Sequence, residues 1–523
     1  MKRGLVFGFL LLASVSFASL HESLPSWHWS YDLIEQLQLR GGFRELSRLN
    51  RPYTRGEVAG ALIGLRKDME SGAVGLSPTD RKQFTLLVRE FREEIARIAG
   101  KEDGDRSVRF GTRLGQDAFK TTGVEARTKG IYRFTIGASL TEHAGVYNAM
   151  NLDQYKVDDP LYPGKKWRGI VGFTEQSYLT AARGRFRLKF GRDFLRWGAG
   201  ESGTLFFSDV CRPLDQLLWS FDLGPFRFSS LTSVLDDIVI PSDWEKYRGD
   251  GKANRYLSAH RLNVDLLEGR LEVALTEAIV YGGPHRPLDW VYLNPFMIYY
   301  GTQLNKKDRV NVAGTIEALF YPVRNWRITG TFFLDDIQVE KTGPGDLEPS
   351  TLGWLIGSQW ADPFRLPGMT LSGEFVRVTN RTYKTPNPWE SFLFQNEPLG
   401  HPLGNDFDHW QIGAEQWFGA SVRMGLLYSR TRKGEGSLFT PWEAPWFDYT
   451  VEEGYSEPWL SGTVETRQAL GLTIRCQPAT HWGLDGTFRV MRRKNADHLA
   501  GETRDETFWK IGVWVMGDFR IGE

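Results

Sequence analysis

Arg133-Phe134-Thr135-Ile136-Gly137-Ala138-Ser139-Leu140 sets an apolar side chain at every second position, with Arg, Thr, Gly and Ser between them. Near the other end of the chain, Trp482, Leu484, Phe488 and Val490 alternate in the same way with Gly483, Asp485, Thr487 and Arg489. Successive side chains on a strand point to opposite faces, so each segment has one apolar wall and one polar wall. Repeated over most of the sequence after the first hundred residues, this pattern describes a transmembrane antiparallel β-barrel, with lipid outside and water or polar packing inside.

The N-terminus carries an export signal. Met1, Lys2 and Arg3 give a positive start, Leu5 to Phe17 is an apolar core, and Ser16-Phe17-Ala18 supplies small residues at the cleavage positions, so residues 1–18 read as a signal peptide. The run is shorter than the ~18 apolar residues that span a bilayer, and no other stretch reaches that length. A chain crossing the membrane without such helices does so as a closed barrel, since only helices and barrels satisfy every backbone group in lipid.

Residues 106–523 suffice for roughly 16–20 tilted strands with their turns and loops. Composition agrees. Mean hydropathy is −0.36, yet aromatics reach 13% and include 19 Trp, as expected when aromatic girdles flank a thin lipid band. Lys plus Arg and Asp plus Glu are 64 each, which argues against nucleic acid as a partner. Of the two cysteines, Cys211 and Cys476, the second continues the face of Leu470, Leu472 and Ile474, which favours a lipid-facing side chain over a disulfide.

Residues 19–105 read as a small α-helical periplasmic module. Tyr31, Leu33, Ile34 and Leu37 recur at helical spacing, Gly41-Gly42 ends that helix, and a second begins at Thr54 with Glu57 completing a capping box. A third, over 77–99, opens on Ser77-Pro78 and carries Phe84, Leu87, Val88, Phe91, Ile95 and Ile98 on one stripe. Within 25–66, Trp29, Asp32, Ile34, Leu37, Gly42, Pro52 and Thr54-Arg55-Gly56-Glu57 resemble an S-layer homology motif. That resemblance implies contact with cell-wall polymer such as peptidoglycan, through Arg55; a plain helix start is the competing reading.

Sixteen strand-like segments follow, at 107–118, 130–142, 169–182, 184–194, 216–234, 257–267, 269–281, 310–320, 325–339, 351–360, 369–379, 410–418, 420–432, 463–476, 481–492 and 506–519. Leu267-Glu268-Gly269 and Val323-Arg324-Asn325 leave room only for hairpins, whereas 380–409 and 433–462 are long and rich in Pro and Trp. In an outer-membrane barrel the long loops face outward.

Gly191-Arg192-Asp193, Arg196-Trp197-Gly198 and Gly200 to Gly203, with Leu205, Ser208-Asp209 and Pro213-Leu214, resemble the Gly-rich segment of the capsule assembly Wzi family. His260-Arg261-Leu262, Glu277-Ala278, Tyr281-Gly282-Gly283 and Leu293-Asn294-Pro295 resemble its central hairpin and Asn-Pro element, and Phe332 to Ile337 the strand that follows. The resemblance implies a plugged outer-membrane barrel of about 18 strands, with a lectin-like role in holding capsular or exopolysaccharide at the surface of a Gram-negative-type envelope, and the chain is expected to be a monomer. The C-terminus departs from the usual terminal aromatic, and Phe519 takes that place, followed by a four-residue tail.

Catalysis finds little support. There is no Gly-x-Ser-x-Gly elbow, no His-Glu-x-x-His, and the nine His show no metal-ligand spacing, so no cofactor or metal is expected. Asp236-Asp237 and Asp335-Asp336 are adjacent strand residues, whose side chains diverge. A sugar site needs aromatic faces and planar polar groups. The two longest loops supply them in Tyr383, Trp389 and Asn396 and in Trp442, Trp446, Tyr449, Tyr455 and Trp459. Each ring taken singly also suits loop packing or an interfacial girdle. Arg192, Arg196, Glu201, Asp209, Arg212 and Asp215 are expected to form a charged network that closes the lumen. The alternative is a general diffusion porin or substrate channel tethered to the cell wall by its helical module, with Arg133, Arg187 and Arg489 lining an open bore.

Overall fold

The computed structural model describes residues 20–100, 107–160, 162, 164–240, 251–306 and 310–522; the export segment and the linker Lys101 to Arg106 lie outside them. Eighteen antiparallel strands make one closed barrel. They are β1 (Ser107–Thr121), β2 (Arg127–Thr141), β3 (Ala144–Asp153), β4 (Val171–Arg183), β5 (Phe186–Asp193), β6 (Leu214–Leu223), β7 (Phe226–Val239), β8 (Lys252–Leu266) and β9 (Leu271–Gly283). The second half is β10 (Asn311–Val323), β11 (Trp326–Asp336), β12 (Thr351–Ala361), β13 (Met369–Val378), β14 (Phe407–Phe418), β15 (Val422–Lys433), β16 (Glu465–Ala479), β17 (Trp482–Lys494) and β18 (Thr503–Gly522). Each pairs with the next, and β1 closes on β18 from Ser107↔Gly522 to Thr121↔Phe508, leaving no edge.

Two strands were not separable in the sequence. Residues 216–234 are a hairpin, β6 and β7, turning at Gly224-Pro225 where Gly224 has φ +60°. β3 was missed because its inward face carries Tyr147 and Ala149 as well as polar groups, which blurs the alternation.

The apolar faces point outward as their spacing required: Phe134, Ile136, Leu140, Leu484, Phe488 and Val490 are all exposed on the outer wall. Cys476 lies on that face, in register with Leu484 and Val422, while Cys211 is buried in the bore, and both are free thiols. Phe519 is exposed opposite Phe110, and pairing continues past it to Gly522. Turns between the strands are short at one end of the barrel and long at the other.

The N-terminal helices α1 (Ser30–Leu39), α2 (Arg55–Glu70), α3 (Pro78–Glu90) and α4 (Arg92–Ile98) form the expected cluster, except that the predicted third helix breaks at Phe91 into two. They do not stand apart from the barrel. Their core of Ile34, Leu37, Val58, Leu62, Leu87 and Phe91 packs against the inward Trp417 and Trp514, plugging the short-turn end. Asn50–Arg51 reaches further and pairs as a short ribbon with Arg196–Trp197.

A second plug descends from the long-loop end. Residues 194–213 and 379–406 fold inward, and Leu205, Phe206, Phe207, Tyr383, Phe392 and Leu399 join Leu231, Leu257, Phe333 and Val376 of the wall in one apolar core. Beside it lies a polar cavity of about 750 Å³, bounded by α1, residues 196–201 and the inner faces of β11 to β18.

Candidate functional site

The capping box at Thr54 does more than start α2. Thr54 Oγ1 accepts the Glu57 amide at 3.1 Å, and Glu57 Oε2 accepts the Thr54 amide at 2.8 Å. The other carboxylate oxygen, Oε1, receives Arg187 at 2.5 Å and Arg227 at 3.3 Å, both from the inner wall. Burial pushes this carboxyl up, but the two guanidinium groups outweigh it and hold it at about 2. Gly56 is required by close approach: its amide donates to Leu20 O at 2.8 Å, and a Cβ would sit 2.6 Å from that oxygen.

Arg55, expected at a cell-wall surface, is instead 1% exposed, paired with Glu94 at 2.5 Å and Glu90 at 3.3 Å. The sequence signature is that of the plug's own interior. A side chain so enclosed offers nothing to a wall polymer.

The charged network in the Gly-rich segment divides. Arg196 meets Asp209 at 3.4 Å inside the bore, and Glu201 lines the polar cavity, where enclosure and the neighbouring Glu374 push its carboxyl up to about 7. Arg212 lies at the long-loop end, joining Asp159 and Glu397 at 3.3 Å each. Arg192 and Asp215 do pair, at 2.6 Å, but on the outer face beyond the lipid-facing Phe190 and Leu217. Alternation along β5 and β6 puts them there; the inward neighbour Asp193 takes Ser23 and Lys189 inside. Arg133 and Arg187 face inward onto Glu175 and Glu57, so both are neutralised.

The residues expected to bind sugar also separate by burial. Tyr383 is a core ring, stacked on Phe392 with centroids 5.6 Å apart, its hydroxyl donating to Leu205 O at 2.6 Å and its amide to Asp335 at 2.6 Å. Trp389 is buried too: Arg255 from β8 donates to its carbonyl at 2.9 Å, and its indole N–H reaches Glu390 at 3.2 Å. Burial raises the Glu390 carboxyl to about 7 against the hydrogen bonds from Asn387, Thr385 and Trp389. Asp335 is likewise inward and Asp336 outward, so neither forms a carboxylate pair.

What reaches the surface comes mainly from residues 434–464. Tyr449 and Trp459 are exposed, at 42 and 55%, as is Asn396 in the neighbouring loop, Trp442 and Tyr455 are half-buried beside them, and Trp446 is buried beneath. Arg381 holds this layer from below, its guanidinium 4.9 Å from the Trp442 ring and 4.5 Å from Trp446, and donating to Glu457 at 2.6 Å. Trp459 is fixed through its indole N–H to Asp408 at 3.3 Å, over the buried Arg377. Asp406, fully buried, accepts the Gly436 amide at 2.8 Å and ties the two loops together. Lys384 at the same rim is pushed down to about 8 by burial, with Arg381 adding to it. Sequence reasoning passed over Arg381 and Arg377; an Arg within a Trp-rich pair of loops is the signal for such stacking.

The result is a rigid aromatic rim above a filled bore. The family profile of capsule assembly protein Wzi matches residues 97–508. The chain belongs to that family. Among solved structures, the fold is similar to Wzi of Escherichia coli, with 13% identity, a TM-score of 0.59, and cover of 94% of this chain and 99% of that one. That protein is described as an outer membrane protein involved in group 1 capsule assembly and as a carbohydrate-binding β-barrel. OprD of Pseudomonas aeruginosa is more distant, at 11% identity and a TM-score of 0.45, covering 79% of this chain and 95% of its own. No curated protein matches the sequence. This Wzi-family chain is therefore an outer-membrane β-barrel of the capsule assembly group.

Proposed function

We propose that this barrel binds capsular or exopolysaccharide at the cell surface and retains it there, in a lectin-like manner, with its long loops outward and its helical plug toward the periplasm. The observation that carries this reading is the aromatic layer at the rim, Tyr449 and Trp459 exposed with Trp442 and Tyr455 half-buried beside them, fixed from beneath by Arg381 and Asp406. Rigid rings offer pyranose C–H faces a surface at low entropic cost. Residues 434–464 carry Glu435, Glu443, Asp448, Glu452, Glu453 and Glu457 with no Lys or Arg, which favours a glycan poor in acidic sugars.

The test is glycan retention by cells carrying Trp442→Ala, Tyr449→Ala, Tyr455→Ala and Trp459→Ala together. Release of polysaccharide with normal heat-modifiable migration is the expected outcome. Unchanged retention in a correctly assembled variant rejects the rim. The porin alternative meets two plugs in the bore, so refolded protein in planar bilayers should show no steady ohmic conductance; a stable open channel would reinstate it.

A further inference from the structure

Residues 284–306, after β9, do not enter the bore. They fold back over the outside of the wall, where helices α5 (Trp290–Leu293) and α6 (Tyr299–Lys306) seat Tyr292 and Tyr299 on Ile279, Tyr281 and Val312. Those strand residues share the outward face of Leu275 and Ile316, both exposed on the lipid side. The flap therefore lies on membrane-facing wall.

Under it is a slot of about 400 Å³, lined by Phe228, Leu262, Leu275, Ile316, Phe332 and Tyr300. Its charged groups are the pair His260 Nε2 and Glu277 at 3.0 Å and, at the Ile337 edge, the outward Asp336. Glu277 also accepts the amides of Tyr299 and Tyr300 at 3.0 and 2.8 Å, so the flap satisfies a carboxylate that bare lipid would expel. Phe296 stacks on Phe228 with centroids 5.4 Å apart and planes 12° from parallel. The flap also exposes Trp290, Ile298 and Leu304 at 84, 69 and 61%. Displayed to water, such a patch would be a liability; here it extends the apolar wall around it.

We infer that this slot holds one acyl chain of an outer-leaflet lipid, clamped between the flap and β8 to β11. Continuity with the lipid-facing wall decides the occupant. Most of the lining is hydrocarbon and aromatic, and Glu277 is already taken up by His260 and the flap amides, which suits an alkyl chain over a polar ligand. The site is separate from the aromatic rim, so glycan binding and lipid retention can fail independently.

The barrel extracted from its native membrane and exchanged exhaustively into a second detergent should still carry one lipid by native mass spectrometry. Ile316→Trp and Leu275→Trp fill the slot and should each lose that lipid, while Leu484→Trp on a distant part of the wall keeps it; heat-modifiable migration reports assembly. On the unmodified protein, excess palmitate should displace the retained lipid. A wild-type barrel that retains none, slot-filled variants that retain it equally, or a lipid that palmitate does not displace would overturn the assignment.

Discussion

The helical plug adds to its packing on Trp417 and Trp514 a set of charges against the wall, Glu57 on Arg187 and Arg227 and Asp32 on Arg475 and Arg423, whereas the loop plug sets rings on it, Phe206 and Tyr383 against Phe333. The two also carry titratable groups displaced in opposite directions, with Glu57 held at about 2 and Glu390 raised to about 7. A seat built from ion pairs responds to pH and to loss of one partner; a seat built from packed rings responds to lost volume. The short-turn end thus adds ion pairs to its packing, and the long-loop end relies chiefly on packed rings.

The largest effect should come from Phe206→Ala, which removes a fully buried ring from the loop plug and should cost about 3–5 kcal/mol. Limited proteolysis within 379–406 should rise while the helical module keeps its protection. Glu57→Gln should reverse that pattern: losing a charge-assisted clamp costs about 1.5–3 kcal/mol, and hydrogen exchange should rise in α2 with the loops unchanged. If either variant loosens both plugs equally, the closures are one cooperative unit and the contrast fails.

The pH response sharpens the same contrast. Because the folded Glu57 titrates below its ordinary range, its contribution is full above about 4.5 and lost as pH falls toward 2, so acid should loosen the helical plug first. Glu390 works the other way, since its folded value lies above the ordinary one. Its contribution is full below about 4.5 and fades as pH rises through 7, so protease access to residues 387–391 should increase between pH 5.5 and 8. Parallel pH profiles for the two regions would refute the assignment. Thr54→Ala should have the smallest effect, about 0.5–2 kcal/mol, through loss of the α2 cap, read as helix protection alone.

The wall was largely legible because period-2 alternation is local: Phe134 and Leu484 declare their face without reference to any other strand. The helices were equally plain from Thr54, Glu57, Ser77 and Asp80, whose capping boxes both form. What the sequence hid was placement. Trp389 and Trp459 look alike as indoles in Pro-rich loops, yet Arg255 draws one into the bore and Asp408 holds the other at the rim. Likewise Arg192 and Arg196 sit four residues apart in one Gly-rich run and face opposite sides of the wall. Such choices depend on partners far along the chain, and the flap over Ile279 and Tyr281 gave no alternation to read.

The clamp between Asp32 and Arg475 joins residues 443 positions apart. One partner lies in α1 and the other on β16, with fifteen strands of the barrel between them in the chain. Contacts of such separation form late, because chain entropy must be surrendered before they return anything. The helical plug therefore has its full seat only in a wall that includes β16. Its full set of ion pairs is in effect a record that the barrel has been finished, and a truncated wall would leave Asp32 without its Arg475 partner.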